Sequence, residues 1–172
     1  MRKQIVFVES SPSVVTYKLA KALKEIGNEV ILVSFLKFNK DFYKDAYDKM
    51  ICFDLDAFSI NINNLFSILK NSPRLVKTFG EVRKLKPTAT IGVAAPHPIW
   101  LPAVARLVTR KSAFVFFPYD VNLLKYKKQE YYKQAKIPNF ELKAEKYLFK
   151  NSDGILFKGE EYEYVNKKIK IK

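Results

Sequence analysis

Short apolar runs separated by segments of helical character constrain the fold of this chain most strongly. The runs are Gln4–Val8, Glu29–Ser34, Lys49–Phe53, Ile91–Ala95, Ala113–Phe117 and Ile155–Lys158. Contiguous Val, Ile, Leu and Phe residues are typical of strands covered on both faces, as in a parallel sheet. The alternation predicts the α/β class: a doubly wound, mostly parallel, Rossmann-like sheet of about six to seven strands in three layers.

The segments between the runs predict helices. Val14 to Ile26 has apolar residues at helical spacing, and Gly27-Asn28 marks the end of that helix. Residues 37–48 predict a loop with a short helix. Asn61 to Leu85 predicts two helices, because proline favours the first turn and Pro73 would start the second. Further helices are predicted over Pro98–Arg110, over Phe140–Lys150 and from Glu160.

The usual strand order for such a sheet, 3-2-1-4-5-6, places a crevice between strands 1 and 4, where the winding reverses. The loop after strand 1 (Glu9–Ser13) and the loop after strand 4 (Ala95–Pro98) would flank it, and Tyr119 and Asp120 would lie beside it. Ligands of open α/β sheets bind at this edge. The crevice is therefore the predicted functional site.

Length and composition limit the class of protein to which this chain can belong. With 172 residues and no break in composition, we expect a single domain over residues 1–165, followed by a basic tail or the start of a linker over 166–172. The single cysteine, Cys52, excludes a disulfide within the chain and fits a reducing compartment. No apolar run approaches the roughly 20 residues that span a bilayer. These features predict a cytoplasmic protein.

The net charge of +14 arises from 31 Lys and Arg residues against 17 Asp and Glu residues. Such an excess attracts membrane surfaces, phosphorylated substrates or nucleic acid, although it can also reflect only a lysine-rich genome. Lys125, Lys127, Lys128 and Lys133 alternate with leucines and tyrosines. This segment predicts contact with an anionic membrane, stacking on nucleic acid, or simply a solvated helix.

The loop after strand 1 supplies two candidate ligand residues. Glu9 is expected to be exposed to the crevice, because it stands at a strand end, and Ser11 could donate to a sugar hydroxyl or a phosphate. The alternative for Ser11 or Ser13 is a helix cap. The loop has no Gly-x-Gly-x-x-Gly pattern and no P-loop lysine, which argues against a dinucleotide or triphosphate.

The other two loops supply His97, Tyr119 and Asp120. His97 is the only histidine, and Pro96 and Pro98 stiffen the chain around it, so it could act as an acid, a base or a hydrogen-bond donor. Asp120 could hold sugar hydroxyls or could cap a turn. One histidine and one cysteine do not suggest a metal site.

Several motifs together resemble one family, the N-terminal domain of GT-B glycosyltransferases of the family 4-like, retaining kind. Four segments resemble that domain in their order and spacing. They are Ile5–Pro12, Leu19–Leu23 followed by Gly27–Val30, Phe116–Asp120, and Glu141–Lys146 followed by Asn151–Ile155. The chain departs from the pattern in three places. The glycines that the family has in the strand-1 loop are missing, and Asn28 and Tyr119 stand where the family often has histidine.

The resemblance implies the acceptor-binding half of a glycosyltransferase. It makes the crevice an acceptor site, so that Glu9, Ser11, His97, Tyr119 and Asp120 are the expected acceptor contacts by their position in its loops. It leaves the catalytic residues unidentified and implies neither a metal nor a cofactor in this domain. A C-terminal domain, absent from this chain, would bind the nucleotide-sugar donor, so the chain alone is expected to be inactive.

Two alternatives remain open at this point. The chain could be the acceptor subunit of a split glycosyltransferase, peripheral at the inner face of the membrane and complete as it stands. It could instead be a basic α/β module that binds nucleic acid, which we consider the weaker reading. A donor domain encoded downstream would favour a truncated enzyme over the split subunit.

Overall fold

A computed structural model of the protein describes residues 2–55, 65–94, 99–118 and 139–157. Its strands form one sheet in the order β3-β2-β1-β4-β5-β6, and every neighbouring pair is parallel. The strands are β1 (Gln4–Glu9), β2 (Glu29–Leu36), β3 (Lys49–Leu55), β4 (Ala89–Ala94), β5 (Ala113–Pro118) and β6 (Gly154–Ile155). The predicted fold class and strand order are confirmed, with β1 and β4 adjacent where the winding reverses.

Four helices cover the two faces of this sheet in the described part of the chain. They are α1 (Val14–Glu25), α2 (Leu65–Leu85), α3 (Trp100–Val108) and α4 (Asn139–Asn151), with a 3-10 turn at Lys40–Phe42. Helix α1 and the 40–47 segment pack on one face, and α2, α3 and α4 pack on the other. The predicted three layers are therefore present.

Strand β1 shows why the sheet must be covered on both sides. Val6 and Val8 pack with the α2–α4 layer, whereas Phe7, between them, packs with Ala20 of α1. Alternate side chains of a strand point to opposite faces, and all three strand residues are fully buried. A contiguous apolar run is thus required, and the sequence supplies one.

Gly92 allows α3 to pack closely against β4. A Cβ atom added to Gly92 would lie 2.9 Å from Cβ of Pro102 in α3 and would collide with the ring of Phe114 in β5. Real Cβ atoms do not approach that closely, so a larger residue would push helix and strand apart. This contact fixes α3, and hence its N-terminus, next to the end of β4.

Two predicted boundaries are wrong. Helix α2 runs without a break through Pro73, so Pro73 does not start a second helix. Proline removes one backbone donor but leaves the rest of the ladder intact, and Phe79 and Val82 beyond it pack against the sheet. Strand β6 begins at Gly154 and is only two residues long.

None of the helices in the described ranges is both long and apolar enough to cross a bilayer. The predicted helix from Glu160 and the tail at 166–172 lie outside the described residues.

Candidate functional site

The carboxyl ends of β1 and β4 are the predicted position of the site. Of the predicted ligand residues, Glu9 and Ser11 lie in the described part of the chain. His97, Tyr119, Asp120, Lys125, Lys127, Lys128 and Lys133 lie outside the described residues. The described side of the crevice consists of the loop after β1, the end of β2 and the start of α3.

Glu9 is not exposed to the crevice, contrary to the expectation from the sequence. Its side chain is completely buried, and it shares the α1-facing side of β1 with Phe7. Neither carboxyl oxygen has a hydrogen-bond partner among the described residues. The strand end lies beneath the first turn of α1 and not at an open edge, so the carboxyl group is covered.

Burial raises the pKa of Glu9 to about 8. The hydroxyls of Thr16 and Tyr47 face the carboxyl group and oppose this rise in pKa, although neither reaches hydrogen-bond geometry with its oxygens. Burial, followed by the proximity of Glu9, also raises the pKa of Tyr47. At neutral pH both groups are therefore mainly protonated, and Glu9 is uncharged.

Hydrogen bonds to neighbouring segments fix the loop that follows Glu9. The Ser34 hydroxyl and the Leu36 amide both donate to the carbonyl oxygen of Ser10, at 3.0 and 2.8 Å. The Tyr43 hydroxyl donates to the carbonyl oxygen of Pro12 at 3.2 Å. The loop is thus preorganised by β2 and by the 40–47 segment.

Ser13, rather than Ser11, caps helix α1. The Ser13 hydroxyl accepts a hydrogen bond from the Thr16 amide at 3.2 Å, and the Thr16 hydroxyl accepts one from the Ser13 amide at 2.9 Å. This reciprocal pair is a capping box. Ser11 is half-buried and has no part in the cap, so its hydroxyl remains a candidate ligand group.

Glu141 caps helix α3 from the neighbouring helix α4. Its Oε2 accepts a hydrogen bond from the Ile99 amide at 2.7 Å, and Ile99 makes no side-chain cap of its own. Burial raises the pKa of Glu141 to about 7, while the amides of Ile99 and Trp100 lower it. The chain thus places a carboxyl group where a helix N-terminus at this sheet edge could otherwise receive an anion.

Sequence reasoning did not identify Tyr47 or assign a role to Glu141. The sequence did contain a signal for Glu141, because Glu141, Glu145 and Leu148 follow one another at helical spacing. The structure shows that this side of α4 is buried. Carboxyl groups on the apolar stripe of a helix need a partner. The partner could not be deduced, because it is a backbone amide 42 residues away.

The described part of the crevice offers hydroxyl and backbone carbonyl groups, since Glu9 is covered and Glu141 is engaged by the Ile99 amide. The capping box uses the Thr16 amide and Glu141 uses the Ile99 amide, so the start of each flanking helix is capped by the chain itself. Among the described residues, no three Asp, Glu, His or Cys side chains converge as metal ligands would. Because the described helix starts are capped, fewer of their amides are free to meet a phosphate.

Comparison with known proteins gives no family. No family model matches the chain, and no curated protein does. Among solved structures, the chain is similar to two structures of the C-terminal domain of a hydrogenase from Pyrococcus furiosus. One has 22% identity and a TM-score of 0.49, covering 67% of this chain and 89% of the other. The second has 22% identity and a TM-score of 0.47, with 69% and 94% covered.

Proposed function

We propose that the chain is the acceptor-binding domain of a GT-B-type, retaining glycosyltransferase. In this proposal the loops at the carboxyl edge of the sheet hold a hydroxyl-bearing acceptor, such as a glycan or a lipid-linked sugar. The nucleotide-sugar donor would bind to a second domain or subunit. The proposal rests on the motif resemblance, and the strand order is the one expected for such a domain.

The structural observation that supports the proposal best is the internal capping of the two described helix starts at the crevice. Nucleotide-binding sites of this fold class use a helix N-terminus and a glycine-rich loop to hold phosphates. Here the Glu141 carboxyl group accepts a hydrogen bond from the Ile99 amide, and the Ser13 hydroxyl accepts one from the Thr16 amide. Because a carboxyl group already lies at the α3 terminus, the crevice favours a ligand without phosphate.

The proposed roles of the residues differ between the two sides of the crevice. His97, Tyr119, Asp120 and Ser11 remain the proposed acceptor contacts. Glu9 would act indirectly: uncharged and buried, it allows α1 to pack over the end of β1. An acceptor hydroxyl would then meet the preorganised Ser10–Ser13 loop and not a carboxylate at Glu9.

Binding to an array of neutral glycans tests this proposal. The wild-type chain should bind a limited set of the arrayed glycans. The double variant His97→Ala/Asp120→Ala should bind the same glycans far more weakly. The matched control is Arg110→Ala/Lys111→Ala, which alters the opposite edge of the sheet and should bind glycans as the wild type does.

Two results would count against the proposal. If no neutral glycan is retained, or if the His97→Ala/Asp120→Ala variant binds as well as the wild type, the acceptor site is misassigned. Tight, salt-sensitive binding of oligonucleotides in place of glycans would favour a nucleic-acid module instead.

A further inference from the structure

A second concave site lies at the opposite, amino edge of the sheet. It is a cleft of about 750 Å³ between the turn that connects α2 to β4 and the turn that connects α3 to β5. Four basic side chains line it: Arg83, Lys86, Arg110 and Lys111. No acidic residue is among its lining residues, which also include Ser112 and the half-exposed Leu107.

The four cations are not neutralised within the described part of the chain. The ion pairs found there use other basic residues, namely Arg2, Lys21, Lys24, Lys84 and Arg106. Lys84 illustrates the contrast, because it lies beside Arg83 in sequence, pairs with Glu81 at 3.4 Å and does not line the cleft. Unpaired like charges in one concavity repel one another, so an anion bound among them would relieve that repulsion.

The stabilising effect of basic residues at a helix end explains the presence of Arg83 in the cleft but not that of Lys86. Basic residues stabilise the last turn of a helix, and Arg83 has that position in α2. Lys86, however, lies beyond the helix in the left-handed conformation, with φ of 46°. That conformation favours glycine, so lysine is a costly choice on backbone grounds alone. Its side chain therefore places a positive charge at a position where the backbone conformation alone would favour glycine.

The walls of the cleft are held by hydrogen bonds. The Thr88 amide donates to the carbonyl oxygen of Gln4 at 2.9 Å, and the Ala113 amide donates to that of Thr88 at 3.2 Å. The Ser112 hydroxyl donates to the carbonyl oxygen of Thr109 at 2.8 Å. These bonds tie both turns to the sheet, so the basic side chains extend from fixed backbone positions.

We propose that the cleft formed by Arg83, Lys86, Arg110 and Lys111 binds a ligand that carries a phosphate or diphosphate group. Guanidinium and ammonium groups together suit a multiply charged oxyanion, since each can donate charge-assisted hydrogen bonds to its oxygens. A cleft of this volume admits a small phosphorylated molecule or the head group of a phospholipid. The site is separate from the carboxyl edge and does not depend on the function proposed there.

Titration calorimetry of the full chain with pyrophosphate tests the site. The wild type should bind pyrophosphate, more weakly as salt is added, because added ions screen the attraction. The double variant Lys86→Gly/Arg110→Ser should bind about tenfold more weakly or worse. The matched control is Lys77→Ala/Lys84→Ala, which removes the same charge from α2 outside the cleft and should bind within about twofold of the wild type.

A sedimentation assay distinguishes the two sources of the phosphate group. Vesicles of phosphatidylcholine doped with phosphatidic acid replace pyrophosphate, and the same variants are compared. Binding to vesicles but not to pyrophosphate, lost in Lys86→Gly/Arg110→Ser only, supports the site and assigns it to a lipid head group. Absence of binding to both probes overturns the proposal, as does an equal loss in the control variant.

Folding of the variants is checked separately. The single change Lys86→Gly should leave the unfolding temperature unchanged or higher, because glycine accepts a positive φ without strain. If Lys86→Gly stabilises the chain and yet weakens pyrophosphate binding, loss of fold is excluded as the cause. If it leaves binding unchanged, Lys86 does not serve the anion and the site is wrong.

Discussion

Glu9 is the residue whose chemical state differs most from what its position in the sequence suggests. A glutamate at the carboxyl end of a strand would ordinarily be ionised and open to solvent. Here it is completely buried without a hydrogen-bond partner among the described residues, and its pKa is raised to about 8. A charged carboxylate in that position would lack solvation, so the folded state favours the neutral form.

This shift makes stability depend on pH. In the unfolded chain the pKa of Glu9 is near 4.5, and in the folded chain it is about 8. Between these values the folded state binds more protons, so the free energy of unfolding falls as pH rises. The contribution is fully present below about pH 4.5 and is lost by about pH 8, with an upper limit on the order of 5 kcal/mol.

Glu9→Gln should remove most of this dependence, because glutamine has nearly the same shape and does not ionise. Urea unfolding at about pH 5, 7 and 9 should show the variant gaining stability relative to the wild type as pH rises. Glu141 has a pKa raised in the same direction, but it is present in both proteins and cancels in the comparison. Parallel stability curves for the two proteins would show that Glu9 is not neutral when folded.

At the scale of elements, the packing of α3 on the sheet depends on the small size of Gly92. Gly92→Ala should lower the free energy of unfolding by about 1–3 kcal/mol, since the new methyl group meets Pro102 and Phe114. Gly80→Ala in α2 is the matched control. No described atom lies within 4 Å of a Cβ built there, and alanine in a helix should raise stability by about 0.5–1 kcal/mol.

Chemical denaturation of both variants measures the difference. Equal and small effects for Gly92→Ala and Gly80→Ala would contradict the close approach of α3 and β4.

The helices and strands also show how much of the fold could be predicted from the sequence alone. Contiguous apolar runs predicted all six described strands and their order, because burial on both faces leaves a clear pattern and right-handed crossovers limit the topology. The continuation of α2 through Pro73 was missed, because tertiary packing outweighed a local preference. The Glu141 cap was missed because it joins segments that are distant in sequence.

The strand order that defines the candidate site was predicted, whereas the chemical state of Glu9 within it was not. The switch point between β1 and β4 follows from strand order, which sequence patterns can give. The burial of Glu9 does not, because Thr16 and Tyr47 cover it from other elements. A side chain's exposure depends on what packs over it, and a single sequence carries little information about that.

For the whole molecule, the two edges of the sheet have opposite character. At the carboxyl edge, Ser13 and Glu141 cap the two described helix starts. At the amino edge, a cleft holds four cations that form no ion pair with a described acidic residue. An uncharged acceptor and a phosphorylated ligand would therefore bind at different ends of the same strands. This separation assigns a different ligand chemistry to each edge of the sheet.

Amide chemical shifts of the ¹⁵N-labelled chain test this separation. A glycan that the chain binds on the array is titrated in one experiment, and pyrophosphate in another. We expect the glycan to shift the amide signals of Ser10, Ser11 and Ser34 at the carboxyl edge. Pyrophosphate should shift the amide signals of Lys86 and Lys111 and leave those of the serines unchanged. Pyrophosphate-induced shifts centred on Ser10 and Ser11, in competition with the glycan, would contradict the assignment of separate ligands to the two edges.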